Sequence, residues 1–265
     1  MITFRDIVGG LRQIIRDRRR PMIVHASLSS FGEIRGGAET LLGGLLMITD
    51  GMMMPAFTYK TMIIPEEGPQ DNGMAYGRGG DNNRMAEFFQ AAMPVDTTIG
   101  VTAETFRKQP YSKRSDHPIL SFTGVNVEEA LKAQTLQEPL APIRLLSEQD
   151  ALVLLLGVDH TVNTSIHYAE RLAGRKQFIR WALTSDGVRE CPNFPGCSDG
   201  FEQAAPFLED ITQQTRIGEA QVRVIPLQAM IECLTDLIKA DPLALLCQRG
   251  DCERCDAVRH SLAAG

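Results

Sequence analysis

The chain has 265 residues, with 27 Lys or Arg against 33 Asp or Glu and a net charge of −6. Hydrophobic residues make up 43% and charged residues 23%, as is typical of a globular protein with a full core. The acidic balance, without a basic and aromatic stripe, argues against nucleic acid as a partner. No apolar stretch reaches the roughly 20 residues of a membrane span, and no secretory signal is visible. We therefore expect no membrane association and a cytoplasmic location, where thiols stay reduced.

Predicted helices and strands alternate along the chain. The first half predicts a helix at 3–17, a strand at 22–25, a Gly/Ser-rich turn at 26–37, a helix at 39–47, a strand at 52–57, a polar loop at 60–82, helices at 84–92 and 102–108, a strand at 119–122 and a helix at 128–133. The second half predicts a strand at 151–158, a helix to 174, a strand at 178–183, a helix at 199–215, a strand at 221–225, a helix at 227–239 and a Cys-rich tail.

This alternation predicts an α/β fold with three layers, α/β/α, around a mainly parallel sheet. The length fits one domain over 1–265, and we expect its Cys-rich C-terminal part, about 186–265, to form a smaller subdomain. The sequence carries no signal for the oligomeric state.

His167 and Glu170 follow the apolar run at 151–158, which reads as a buried strand. Asn163 or Thr164 can cap a helix there, and residues three apart share a helix face. A histidine held by a carboxylate beyond the carboxyl end of a strand is a general-base arrangement. The spacing alone also fits a solvated polar face, so the context has to decide.

Four segments together resemble one known family. They are Val24–Gly32 with Gly36–Thr40, Arg114–Pro118 with Ser121 and Phe122, Ala141–Ile143, and Leu154–Val158 with Asn163–Glu170. Their order and spacing are similar to those of the aminoglycoside 3-N-acetyltransferases, the antibiotic N-acetyltransferase family, over nearly the whole chain.

The resemblance implies direct acetyl transfer from acetyl-CoA to the 3-amino group of an aminoglycoside antibiotic, with His167 as the general base and Glu170 as its partner. The chemistry suits these residues, because an ammonium acceptor must lose a proton before it attacks a thioester. Glu170 would hold the imidazole tautomer, as the acid does in hydrolase triads.

Residues of two turns are candidates for contacts with CoA. They are Ser27, Ser29, Ser30, Phe31 and Gly32 in the first turn, and Arg114 and Ser115 in the second. Hydroxyls and free amides can hold pantetheine or phosphate, and a guanidinium suits phosphate geometry. Ordinary capping hydroxyls and a structural ion pair of Arg114 explain these residues equally well.

The polycationic acceptor calls for carboxylates. Our candidates are Glu66, Glu67, Asp71, Asp199 and Glu202. The first three lie in the polar loop at 60–82, which is longer than the resemblance leads us to expect. Loops beside a site often set specificity, so the preferred aminoglycoside stays open.

The cysteine spacing predicts a structural zinc site. Cys252-x-x-Cys255 follows Cys247, and Cys197 is the predicted fourth ligand, with Cys191 in reserve. The tail also resembles that of the apramycin-type branch of the family. Reduced thiols without a metal are the alternative.

Other functions fit the sequence less well. An acetyltransferase acting on another primary amine would use the same residues. A zinc-ribbon-like binding module would leave the His167–Glu170 pair without a role, and a hydrolase would need a Gly-x-Ser-x-Gly elbow that the sequence lacks.

Overall fold

A computed structural model describes residues 1–263 of the chain. The helices are α1 (Phe4–Ile14), α2 (Gly37–Leu46), α3 (Gly80–Met85), α4 (Val101–Arg107), α5 (Glu128–Lys132), α6 (Ala141–Ser147), α7 (Ile166–Leu172), α8 (Leu227–Ala240) and α9 (Glu253–Ala263). The strands are β1 (Met22–Ala26), β2 (Met52–Pro55), β3 (Met62–Ile63), β4 (Lys113–Arg114), β5 (Phe122–Val125), β6 (Leu152–Leu156), β7 (Phe178–Thr184), β8 (Gly187–Phe194), β9 (Gln213–Ile217) and β10 (Ala220–Pro226). Within residues 1–263, no helix has both the length and the apolar character to cross a bilayer.

The main sheet has seven strands among the described residues, in the order β4-β5-β2-β1-β6-β10-β9. Strand β1 pairs in parallel with both β2 and β6, whereas the outer pairs are antiparallel. The predicted α/β fold is confirmed, but the parallel pairing is confined to the three central strands. A two-residue turn at Gly218 and Glu219 joins β9 to β10, and strands joined so tightly can only be antiparallel.

Strand β6 shows why the fold has three layers. Leu152, Leu154 and Leu156 pack into a core with α1, α2 and α4. Val153 and Leu155 point the other way, into a core with α5, α6, α7 and α8. Because successive side chains of a strand face opposite sides, an entirely apolar strand needs a covering layer on each face.

Several elements differ from their predictions: α3 ends at Met85, β5 begins at Phe122, and α6, β3, β4, β8 and β9 were not predicted. The segment predicted as a helix at 199–215 forms a 3₁₀ helix, Phe201–Ile211, followed by strand β9. Pro206 lies inside it and has no N–H to donate, which disfavours a continuous α-helix. Strand β8 was not predicted, because its first half is exposed and its sequence lacks an apolar pattern.

A smaller antiparallel sheet, in the order β3-β7-β8, lies outside the main sheet. The segment predicted as a C-terminal subdomain, 186–265, contributes to both sheets. Its residues 213–240 supply β9, β10 and α8 to the main layers, whereas β8 belongs to the smaller sheet.

Candidate active site

A cavity of about 1320 Å³ lies beyond the carboxyl ends of the central strands. Its walls include Ser27 after β1, Phe57 after β2 and Val158 after β6. Open α/β sheets bind ligands at this edge, since the loops that leave neighbouring strands diverge there. The cavity is therefore the candidate site.

His167 is the second residue of α7 and lines this cavity with only 7% of its surface exposed. The 3₁₀ turn His160–Val162 leads from β6 into the helix, and Asn163 accepts a hydrogen bond from the backbone N–H of Ser165 at 3.2 Å. The ring of Phe201 packs edge-on against the imidazole, with centroids 4.7 Å apart. These contacts hold the imidazole in one place at the cavity wall.

Glu170 and Arg175 form a buried chain of charges behind His167. Nδ1 of His167 lies 2.6 Å from Oε2 of Glu170, and Nη1 of Arg175 lies 2.7 Å from Oε1. Arg175 also donates to the carbonyls of Pro242 and Ala244 at 2.8 and 2.7 Å. Because a carboxylate only accepts, Nδ1 carries the proton of the neutral ring and Nε2 keeps its lone pair. That is the tautomer that a general base needs.

Arg175 was missed by the sequence reading. It follows Glu170 by five residues and lies past the end of α7, so helical spacing does not connect the two. The Arg175 and Glu170 side chains are each 3% exposed, and a carboxylate this deeply buried needs a partner. A glutamate predicted to be buried implies a nearby cation, and that requirement is the signal that could have indicated Arg175.

The serine turn after β1 stands at the cavity wall. Ser27, Ser29 and Gly32 line the cavity, whereas Ser30 and Phe31 do not. The Ser30 hydroxyl donates to that of Ser27 at 2.9 Å, and the Phe31 side chain is buried in the core. The last two residues thus shape the turn from behind.

Arg114 and Ser115, which were predicted to contact CoA, are not among the residues that line the cavity. The Arg114 guanidinium donates to the Ser121 hydroxyl at 3.1 Å and to backbone carbonyls, including that of Ala56 at 2.6 Å. Burial lowers its pKa to about 10. The Ser115 hydroxyl accepts from the backbone N–H of Phe122 at 2.8 Å. These polar groups thus have partners within the protein, and a contact with CoA stays a prediction.

Of the predicted substrate carboxylates, Asp199 lines the cavity, and its Oδ2 lies 3.0 Å from Nη1 of Arg249. Glu202 lies outside the lining, and it accepts from the backbone N–H of His160 at 2.8 Å and from Arg223 at 2.9 Å. The Glu202 carboxylate therefore has partners within the protein, and its contact with substrate stays a prediction.

The acidic residues of the polar loop also lie outside the cavity lining. They are Glu66, Glu67 and Asp71. Residues 73–75 and Arg78 of the same loop do line the cavity, whereas a substrate contact of the three acidic residues stays a prediction. Arg180 of β7 holds the loop by donating to the carbonyls of Asn72 and Gly73 at 3.0 and 3.2 Å.

The four predicted metal ligands come together. The Sγ atoms of Cys197, Cys247, Cys252 and Cys255 all lie within 4.8 Å of one another, and all four residues are buried. Cys191 is not part of this group. A tetrahedral zinc site with Zn–S bonds of about 2.3 Å separates its sulfurs by about 3.8 Å, so this donor set fits zinc.

One cysteine of the cluster, Cys197, is held toward the thiolate form. Hydrogen bonds from the Cys255 thiol and from the backbone N–H of Asp199 lower the pKa of Cys197 to about 5. Thiolate is the form of cysteine that binds a metal ion.

Comparison with known proteins identifies the family of the chain. The profile of the family described as aminoglycoside 3-N-acetyltransferase matches residues 23–239, which is most of the chain. The chain belongs to this family. The resemblance inferred from the four sequence segments is confirmed.

The chain is similar to members of this family both in sequence and in structure. Aminoglycoside N(3)-acetyltransferase IV from Salmonella sp is 28% identical over 170 residues, a match that spans 60% of this chain and 65% of that protein. The chain thus matches somewhat less than two thirds of this relative's length. The crystal structure of the AAC(3)-IVa apoenzyme has a TM-score of 0.80 at 25% identity and covers 98% of each chain.

A further family structure shows the same fold. It contains an AAC(3)-IVa variant with a histidine replaced by alanine, in complex with a gentamicin. Its TM-score is 0.78 at 24% identity, over 98% of this chain and 97% of that one.

Proposed function

We propose that the protein is an acetyl-CoA-dependent N-acetyltransferase that modifies the 3-amino group of an aminoglycoside, with His167 as the general base. The observation that carries this proposal is the free Nε2 edge of a clamped imidazole in the wall of a large cavity. Family membership supplies the substrate class.

The transfer is direct. Nε2 of His167 takes a proton from the acceptor ammonium, and the amine attacks the thioester carbonyl. The new C–N bond forms as the C–S bond breaks, and CoA leaves as the thiolate. The nitrogen still carries one surplus proton, which passes to the CoA thiolate, and the imidazolium returns its proton to solvent. Glu170 stabilises the imidazolium, and Arg175 holds the Glu170 carboxylate in place. No cysteine is among the lining residues of the described chain, which leaves no thiol to carry an acetyl group.

The two substrates use different walls of the cavity in this proposal. The hydroxyls of Ser27 and Ser29 and the backbone at Gly32 hold the pantetheine arm of CoA, with Ser30 and Phe31 supporting their turn. Asp199 faces the polycation. A second candidate function is transfer to another primary amine, which the same His167 chemistry allows.

Thiol release from acetyl-CoA tests this function. We expect turnover with gentamicin and little with a simple monoamine, because a polycation gains several charge contacts. The KM for gentamicin should rise with ionic strength, since partly exposed charge pairs are screened by salt. Incubation with acetyl-CoA alone should leave the protein mass unchanged. Equal turnover of both amines, at a KM insensitive to salt, would support the second candidate instead.

We also propose that Cys197, Cys247, Cys252 and Cys255 hold one structural zinc ion, which stabilises the Cys-rich C-terminal part of the single domain. The ion cross-links residue 197 to residues 247–255 and takes no step in the reaction. The cytoplasmic location expected from the sequence stays a prediction.

Freshly purified protein should contain about one zinc per chain by elemental analysis, as for other four-thiolate sites. Cys252→Ser should lower the thermal midpoint, because metal binding contributes folding free energy. Cys233→Ser is the matched control, since Cys233 is a thiol outside the cluster. Protein without metal whose Cys252→Ser form melts like the control would show that these are ordinary reduced thiols.

A further inference from the structure

The cysteine cluster and the cavity share two chain segments. Cys197 lies between Gly196 and Ser198, which both line the cavity together with Asp199. Cys252 directly precedes Glu253 and Arg254, which line it from the start of α9. The atoms that hold the cluster are therefore within one or two residues of the atoms that face the substrate space.

Glu253 is the cavity carboxylate that has no other task. Its side chain is exposed, and it makes no ion pair or hydrogen bond with the residues that the structure describes. Asp199, in contrast, is paired with Arg249. The neighbouring Arg180 and Arg254 donate to backbone carbonyls and form no ion pair with Glu253 within the described residues. An unpaired carboxylate facing a cavity suits an ammonium group of a ligand.

We propose that Glu253 binds an ammonium group of the polycationic acceptor, and that the four-thiolate cluster sets the position of Glu253 in the cavity wall. This assignment rests on the proposed function and adds a specificity-determining residue to it. The sequence did not indicate Glu253, because it lies between Cys252 and Cys255, whose spacing indicates metal ligands and nothing about the cavity.

The packing explains how the cluster controls this position. Glu253 begins α9, and the buried Cys252 and Cys255 hold the first turn of that helix. Nη1 of Arg254 donates to the carbonyl of Gly196 at 3.0 Å, so the two ligand-bearing segments are also joined beside the cavity. A change at the cluster would displace both segments together.

Gly73 adds the polar loop to the same unit. A Cβ at this glycine would lie 2.8 Å from Cα of Arg254, closer than real contacts allow, and φ is +53°. Only glycine lets the loop pack this tightly on the start of α9. The cluster therefore supports a wall made of three segments.

Calorimetric titration with gentamicin tests the role of Glu253. We expect Glu253→Gln to weaken gentamicin binding about tenfold, because the amide can still accept from the ammonium but no longer carries the opposing charge. CoA binding should not change, since the serine turn is at another wall. The variant Glu253→Asp keeps the charge but shortens its reach. Its affinity for gentamicin should lie between those of the wild type and of Glu253→Gln. Glu209→Gln is the control, because Glu209 is exposed and outside the cavity lining.

Removal of the metal tests the positioning. Wild-type protein stripped with a chelator should bind gentamicin more weakly than the same sample reloaded with Zn²⁺, while its affinity for CoA stays the same. Equal gentamicin affinity of stripped and reloaded protein would overturn the positioning, and wild-type affinity of Glu253→Gln would overturn the contact. Failure of the proposed function looks different, because wild-type protein would then neither bind gentamicin nor acetylate it.

Discussion

Replacing His167 by alanine or by asparagine should lower kcat for gentamicin acetylation by about 10²–10⁴-fold, the usual contribution of a general base. Asparagine is the sharper variant. Its amide nitrogen can donate to Glu170 as Nδ1 does, but it offers no basic lone pair toward the cavity. A loss in both variants therefore identifies proton transfer as the missing step, separate from the packing of the site.

His260→Ala provides the matched control, because His260 is an exposed residue of α9 that does not line the cavity. Steady-state kinetics with thermal melting of each variant make the comparison. The His167 variants should melt within a few degrees of the wild type. Retention of more than about half of kcat by a folded His167→Asn protein would refute the assignment.

Arg175→Met should lower the free energy of unfolding by about 3–5 kcal/mol. The Arg175 and Glu170 side chains are each 3% exposed, so removal of the guanidinium leaves a buried carboxylate without its cationic partner, with only His167 still bonded to it. The carbonyls of Pro242 and Ala244 lose a donor at the same time. Acetylation should weaken as well, because Glu170 then no longer holds the imidazole firmly.

Arg144→Met is the comparison for stability. Arg144 and Glu148 also form an ion pair, at 2.9 Å, but their side chains are 43% and 55% exposed. Exposed pairs of this kind contribute about 0–1 kcal/mol. Urea titration of both variants measures the difference. Arg175→Met as stable as Arg144→Met would show that the buried chain of charges does not hold α7 in place.

The central part of the fold was predictable because its sequence pattern is strong. The run at 152–156 is apolar at every position, and such a strand has to be central with helices on both faces. The outer strands carried less information. Strand β8 is half exposed, and Pro206 turned a predicted helix into a 3₁₀ helix, so local composition did not reveal either.

The candidate site was predictable where its residues are close in sequence. His167 and Glu170 share a helix turn, and the cysteines carry their own spacing. Arg175 and the separation of Arg114 from the cavity depend on tertiary packing, which spacing does not encode. The same holds for the polar loop. Its acidic residues were predicted to face the site, but residues 73–75 are the ones that line the cavity.

The strand order sets when this protein can fold. Strand β6 is paired on one side with β1, at residues 22–26, and on the other with β10, at residues 220–226. The sheet centre therefore joins segments from both ends of the chain, and contacts of long sequence separation slow folding. During synthesis the middle strand emerges well before its second neighbour and exposes an unpaired, apolar edge. Until β10 leaves the ribosome, that edge is open to self-association, so expression of this chain should depend on chaperones and on temperature.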